Sequence, residues 1–256
     1  MEYRLFVYGS LRRGEINHGF MGSSRCEAFL AWLPGVLYDT GRGYPAMAEG
    51  KGDVAAGTGI VCGEIYRIDE ETLARIDDLE EYYGPGDPRN VYERVERTAR
   101  TDRGETDVLV YISDRLRSGP EVPFGEWKLY RMTKRSTLLY FDYGGCPDDE
   151  RIPMAGKAHG FRDVVGKATV YGCRVRLARH ASGKARADMV ETGGVTEGVL
   201  YRIPVEAVEG DLCRREEVRK GIYRPAVVPV TLDGRETLDA LTFVMAEKQP
   251  EIAHRR

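Results

Sequence analysis

The sequence predicts an α+β protein made of two copies of one strand-rich unit, each a barrel-like sheet with few helices. Three observations carry this expectation. Runs with a two-residue period outnumber runs with a helical period, and they do not alternate with helices as βαβ units would. The opening Leu5-Phe6-Val7-Tyr8-Gly9-Ser10-Leu11-Arg12-Arg13-Gly14 returns in altered form as Leu139-Tyr140-Phe141-Asp142-Tyr143-Gly144-Gly145-Cys146. Tyr143 lies 135 positions after Tyr8, the segment 198–203 lies 135 after 63–68, and Glu216 lies 136 after Glu80, so three landmarks keep one spacing. The 256 residues have room for two modest domains, expected at 1–118 and 138–256 with a linker at 119–137.

In chain order, Tyr3, Leu5 and Val7 alternate with Arg4, Phe6 and Tyr8, a strand that ends at Gly9-Ser10. A tight loop at Tyr-Gly lets backbone N–H groups approach a ligand, and the Ser10 hydroxyl is either one more donor or a turn former. Phe20, Met21, Phe29, Leu30, Trp32 and Leu33 supply core material around a short helix and a strand. Gly35-Val36-Leu37-Tyr38-Asp39 and Gly43-Tyr44-Pro45-Ala46 read as strand and turn, 51–58 as a surface loop, and 60–68 as a strand. Asp69 is placed to cap a helix whose apolar positions are Leu73, Ile76 and Leu79. Leu73, Ile76 and Glu80 share one helical face, which directs Glu80 toward the packed side and Glu81 elsewhere.

After a Gly/Pro-rich turn at 82–90, strands are expected at 91–98 and 107–112, then linker-like composition at 113–123 and an ambiguous piece at 127–134. In the second unit the strand signals are 169–177, 198–203, 226–231 and 241–245. Pro204 suits a first helical turn, and Val205, Val208, Leu212 and Glu216 fall on one face.

Composition narrows the function. With 38 basic and 41 acidic residues the formal net charge is −3, so no global field favours nucleic acid. No apolar run approaches a membrane span, and Met1-Glu2-Tyr3-Arg4 leads straight into a strand without a secretory signal, which makes the cytoplasm the expected location. The five cysteines are odd in number and contain no C-x-x-C pair, which argues for reduced, mostly packed thiols rather than a disulfide framework or structural zinc. Cys146, without a local partner, reads as inert. A small-molecule partner fits this balance best.

The sequence resembles the γ-glutamylcyclotransferase-like superfamily, in the branch that holds γ-glutamylamine cyclotransferases and AIG2-like proteins. The first unit carries the resemblance through 6–14, Asn17-His18, 35–39, Gly43-Tyr44-Pro45-Ala46, 61–66, Ile76-Asp77-Asp78-Leu79-Glu80 and Tyr92-Glu93-Arg94. The second does so through 140–144, Arg186-Ala187-Asp188-Met189, 196–204 and 212–223. The resemblance implies two tandem γ-glutamylcyclotransferase-like domains, each a small mixed β-barrel with flanking helices. It also implies intramolecular aminolysis of a γ-glutamyl compound, with 5-oxoproline and an amine or amino acid as products.

For that reaction the resemblance implies Glu80, and by repetition Glu216, as general acid/base. Tyr8, Gly9, Ser10 and Leu11 would bind substrate, with Tyr143, Gly144 and Gly145 as their counterparts and Tyr92 and Tyr223 as cleft walls. No metal or cofactor is required. Tyr8 reads equally as a strand-end core tyrosine, Arg12 and Arg13 as solvated charges, and His18 as a packing residue.

Several departures make the second unit partly degenerate. Asp142 stands beside the second loop, where its charge would repel a substrate carboxylate. Gly145-Cys146 replaces the usual Ser/Thr step, and Glu81 and Glu217 stand where Gly commonly follows the catalytic Glu. The chain stops at Arg256 without the longer C-terminal helix of some relatives, so part of the second cleft's wall is expected to be missing. The first unit is expected to be the active one. A pathway-specific deprotecting enzyme and a ligand-binding tandem protein without turnover remain as alternatives.

Overall fold

Five strands close a barrel in the first half of the chain, and five more repeat it in the second. A computed structural model describes residues 1–50, 59–144, 163–179 and 185–252. The chain divides into two units, Met1–Lys128 and Leu129–Arg256. In the first, β1 (Glu2–Val7), β2 (Arg25–Pro34), β5 (Ile60–Asp69), β6 (Glu93–Thr101) and β7 (Gly104–Ile112) follow the order β1-β5-β2-β6-β7. A parallel pairing of β7 with β1 at Leu109 and Leu5 closes the ring. A two-stranded sheet, β3 (Val36–Asp39) with β4 (Pro45–Ala48), lies apart from it in the ladder. Leu5, Phe6 and Val7 are all buried, so the alternation expected of β1 ends where the strand enters the core.

Helix α1 (Glu70–Leu79) starts as its sequence predicts: the Asp69 carboxylate accepts from the Thr72 N–H at 2.8 Å. Leu73 and Ile76 are buried beneath it, in one cluster with Leu5, Val7, Tyr66 and Tyr111. The segment 119–128, placed in the linker by the sequence reading, is fixed to the first unit. Asp39 N–H donates to Pro120 O at 3.0 Å, Val122 N–H donates to Leu37 O at 2.7 Å, and Glu126, Trp127 and Lys128 are buried. Helix α2 (Trp127–Met132) then leads into the second unit.

There β8 (Thr137–Asp142), β9 (Asp163–Tyr171), β12 (Val195–Pro204), β13 (Tyr223–Leu232) and β14 (Glu236–Met245) close in the order β12-β8-β14-β13-β9. Taken around the ring, this is the same circular order as in the first barrel. Gly63 and Gly198 show how closely the frames agree. A Cβ on Gly63 would lie 2.5 Å from both the Phe6 ring and the Val7 carbonyl oxygen, and one on Gly198 would lie 2.4 Å from the Asp142 carbonyl oxygen and 2.7 Å from the Phe141 ring. Only glycine lets the two strands approach so closely at these points.

Three expectations for this unit are corrected. The single strand at 169–177 is two, β9 and β10 (Arg174–Arg179), because Gly172 at φ 82° breaks the run. β10 pairs instead with β11 (Ala185–Val190), which the sequence reading did not anticipate. Pro204 is the last residue of β12 and not a first helical turn. The next turn, Val208–Leu212, is wound as a π-helix before a short α turn, Cys213–Arg215. This wider winding takes up the one residue by which the spacing grows from 135 to 136, and still leaves Val208 and Leu212 buried with Glu216 at the end.

The calls on 51–58, Gly145 and Cys146 lie outside the described residues. Cys62, Cys173 and Cys213 are buried and Cys26 is exposed, and none of these four is in a disulfide. Among the described residues no helix is long and apolar enough to cross a membrane.

Candidate active site

Where β1 leaves the first barrel, the chain makes a tight loop whose carbonyls are tied away. Arg12 N–H donates to Gly9 O at 3.1 Å, Asn17 N–H to Ser10 O at 3.0 Å, and the His18 ring Nδ1 lies 3.0 Å from Leu11 O. The Asn17 amide also donates to the Ser10 hydroxyl at 3.0 Å. The N–H groups of Gly9, Ser10 and Leu11 have no acceptor among the described residues. Three successive free donors of this kind form a concavity suited to negative charge. His18 therefore packs against the loop, as its sequence context suggested, and Asn17 helps to hold it.

These donors line a cavity of about 230 Å³ together with Tyr8, Glu80 and Tyr92. Tyr8 is 7% exposed, and its hydroxyl donates to Tyr111 O at 2.8 Å and accepts from Met47 N–H at 3.2 Å. Its ring forms wall while its hydroxyl is spent on the backbone. The Tyr92 hydroxyl donates to Pro45 O at 3.1 Å, and Pro45 in turn comes within 2.8 Å of where a Cβ on Gly9 would sit. Tyr44, Pro45 and Tyr111 complete the walls. The sequence reading did not assign these three to the site, although Gly43-Tyr44-Pro45-Ala46 was among the stretches that carried the resemblance.

Glu80 is the C-cap residue of α1 (φ −87°, ψ 4°), and its N–H still donates to Ile76 O at 2.9 Å. Its half-buried carboxyl reaches the cavity and has no hydrogen-bond or ion-pair partner among the described residues. Burial pushes it up to about 7. The negative end of α1 acts in the same direction. Tyr8 and Tyr92 are held far above the ordinary phenol value, first by burial and then by nearby groups that include Glu80, so both stay neutral. Glu81, expected to point elsewhere, also lines the cavity, where it takes a left-handed turn at φ 50°.

The second unit repeats this frame. Tyr143 donates to Phe243 O at 2.5 Å and accepts from Met189 N–H at 3.3 Å, and Tyr223 donates to Ala187 O at 2.6 Å. Glu216 ends its helix at φ −83°, ψ 5°, and Glu217 follows at φ 51°. The Tyr223 phenol is pushed up to about 12, first by burial and then by the charge of Glu216. At the loop and at the helix end the charges are held differently from the first unit. Asp142 Oδ1 accepts from the Gly144 N–H at 3.0 Å, and Glu217 is held by Arg186 at 2.5 Å and Lys220 at 2.8 Å.

The family described as gamma-glutamyl cyclotransferase, AIG2-like, matches residues 5–129. The putative gamma-glutamylcyclotransferase YkqA of Bacillus subtilis is 35% identical over 99% of this chain and 87% of its own length. The chain belongs to the γ-glutamylcyclotransferase family. The crystal structure of YkqA matches 100% of this chain and 88% of the other with a TM-score of 0.83, so both barrels are γ-glutamylcyclotransferase-like units in tandem. A further relative, the gamma-L-glutamyl-butirosin B gamma-glutamyl cyclotransferase of Niallia circulans, is 41% identical over 52% of this chain and 81% of its own. Within this family frame, the first unit brings Tyr8, Gly9, Ser10, Leu11, Glu80 and Tyr92 to one cavity.

Proposed function

We propose that the first unit is a γ-glutamyl(amine) cyclotransferase, which converts a γ-glutamyl compound to 5-oxoproline and an amine or amino acid. The observation that carries this is the pairing, across one cavity, of an unpartnered carboxyl raised to about 7 with a loop of free amide donors. A group titrating near the working pH serves both as base and as acid. Glu80 takes a proton from the substrate α-ammonium, and the freed nitrogen attacks the γ-carbonyl carbon to close the ring. The amides of Gly9, Ser10 and Leu11 meet the negative charge of the α-carboxylate or the oxyanion. The bond to the leaving amine then breaks as Glu80 returns the proton to it, and the ring nitrogen gives up its second proton, which the departing basic amine carries away as its ammonium form. Holding the folded-back conformer in the cavity removes up to ~7–11 kcal/mol of the barrier in favourable cases.

The name of the Niallia circulans relative favours a second, narrower reading, removal of a γ-glutamyl group from a larger amine. Incubating the protein with γ-glutamyl dipeptides, small γ-glutamyl amines and bulky γ-glutamyl amines, scored for 5-oxoproline, tests both. Turnover confined to bulky amines selects the deprotecting role. Binding without 5-oxoproline from any substrate contradicts the enzyme reading and leaves a ligand-binding protein.

A further inference from the structure

Beneath the donor loop lies a group of four buried charges that the proposed chemistry does not use. Arg12, read from the sequence as solvated, is 1% exposed, and Glu64, Glu126 and Lys128 are 3%, 1% and 3% exposed. Arg12 Nε donates to Glu64 Oε1 at 3.1 Å, and its guanidinium also grips Glu126. The other Glu64 oxygen accepts from Arg13 N–H and from the Tyr66 hydroxyl, both at 2.9 Å. Lys128 Nζ lies 3.6 Å from Glu64, and Lys128 N–H donates to Glu126 at 3.2 Å.

Two cations and two carboxylates cancel, but burying them is a poor way to gain stability. Each ion loses several kcal/mol of hydration, and apolar side chains of similar volume often do as well or better. Geometry is a better account. One carboxylate, on β5, holds the Arg12 side chain with one oxygen and the next backbone N–H with the other. Arg12 N–H itself closes the turn onto Gly9 O, so the same residue anchors the loop by backbone and by side chain. The second unit has Val199 at the position of Glu64 and has no such carboxylate there.

We propose that Arg12, clamped between Glu64 and Glu126, is a positioning residue that aims the amide donors of Gly9, Ser10 and Leu11 into the cavity. The segment 126–128 is then part of the active unit. The inference rests on the proposed cyclotransferase reading for its kinetic readout, and the loop's rigidity gives a readout that does not.

Arg12→Lys keeps the charge but cannot fork between two carboxylates. A loop displaced by a fraction of an ångström to about 1 Å is expected to lower kcat/KM by about 10- to 100-fold, with kcat itself falling. Backbone 15N order parameters of Gly9, Ser10 and Leu11 are expected to drop from the rigid range near ~0.85 toward ~0.6 in the same variant. Glu126→Gln, which keeps an acceptor oxygen, carries both readouts should Arg12→Lys fail to fold. A folded variant whose loop stays rigid, whatever its rate, overturns the proposal, and so does a loosened loop with full turnover. Should the wild type turn over no γ-glutamyl compound, the cyclotransferase reading falls while the order parameters still decide the positioning role.

Discussion

In the first unit the Tyr8 hydroxyl bridges Tyr111 and Met47, and in the second the Tyr143 hydroxyl bridges Phe243 and Met189. Tyr92 and Tyr223 each hold a carbonyl, on Pro45 and Ala187. Both helices end in a Glu-Glu pair with the second residue left-handed. The two units differ in how they treat negative charge. The first loop offers free amides and is anchored from below by Glu64; the second has an amide already taken by Asp142 and Val199 in place of the anchor. A duplicated frame can thus be kept intact while one copy's donors are filled by its own side chain. What separates the two cavities is then a few charges rather than the fold, and on the proposed reading those charges decide which copy turns substrate over.

The largest expected effect separates the copies directly. Glu80→Gln removes the proposed general acid/base and is expected to cut 5-oxoproline release by at least ~10²- to 10⁴-fold, whereas Glu216→Gln is expected to leave most of it. Loss of release only in the Glu216 variant would invert the comparison. The same Glu80 substitution has a stability signature. Glu80's folded value lies above its unfolded one, so the folded state binds more protons between about 4.5 and about 7, and stability falls as pH rises through that window. Glu80→Gln is therefore expected to raise the melting temperature above pH 7 relative to wild type and to change it little near pH 4. Calorimetry at the two pH values checks this.

Next in size is a test of the shared frame. Gly63→Ala and Gly198→Ala would each push a methyl against a carbonyl oxygen and an aromatic ring, and each is expected to cost ~1–3 kcal/mol or more by chemical denaturation. A cost in one unit only would show that the barrels differ in packing as well as in charge.

How much of this was legible in the sequence follows from the range of each interaction. Asp69 as cap, Glu80 on the buried phase of α1 and the repeat spacing are local or periodic, and each can be read from neighbours along the chain. Arg12 was misread because its partners lie 52 and 114 positions away, and a basic pair in a loop looks solvated until those carboxylates are in place. β11 was missed because Asp188 looks like a surface charge, yet it is fully buried with Arg176 and Lys248 beside it. The break at Gly172 was hidden inside an unbroken strand-like run, since a single glycine can either bulge a strand or end it.

A smaller effect bears on the second loop. In a Glu80→Gln background, Asp142→Val frees the Gly144 amide and is expected to add a weak L-glutamate site, seen as shifts of second-unit amides in NMR titration. Unchanged second-unit shifts would mean that Asp142 is not what keeps anions out. Smallest of all, Glu81→Gly relieves a left-handed non-glycine residue and is expected to stabilise the first unit by up to ~1–2 kcal/mol. Glu217→Gly should gain less, because it also gives up the contacts to Arg186 and Lys220.

The central claim, that Glu80 is a desolvated acid/base inside the cavity, is tested most directly by a 13C NMR titration of its side-chain carboxyl in the full-length protein, assigned by its loss in Glu80→Gln. A midpoint near 7 is the result expected. A midpoint in the ordinary carboxylate range, near ~4.3, would mean that the group is bathed in water and would leave the ring closure without its base.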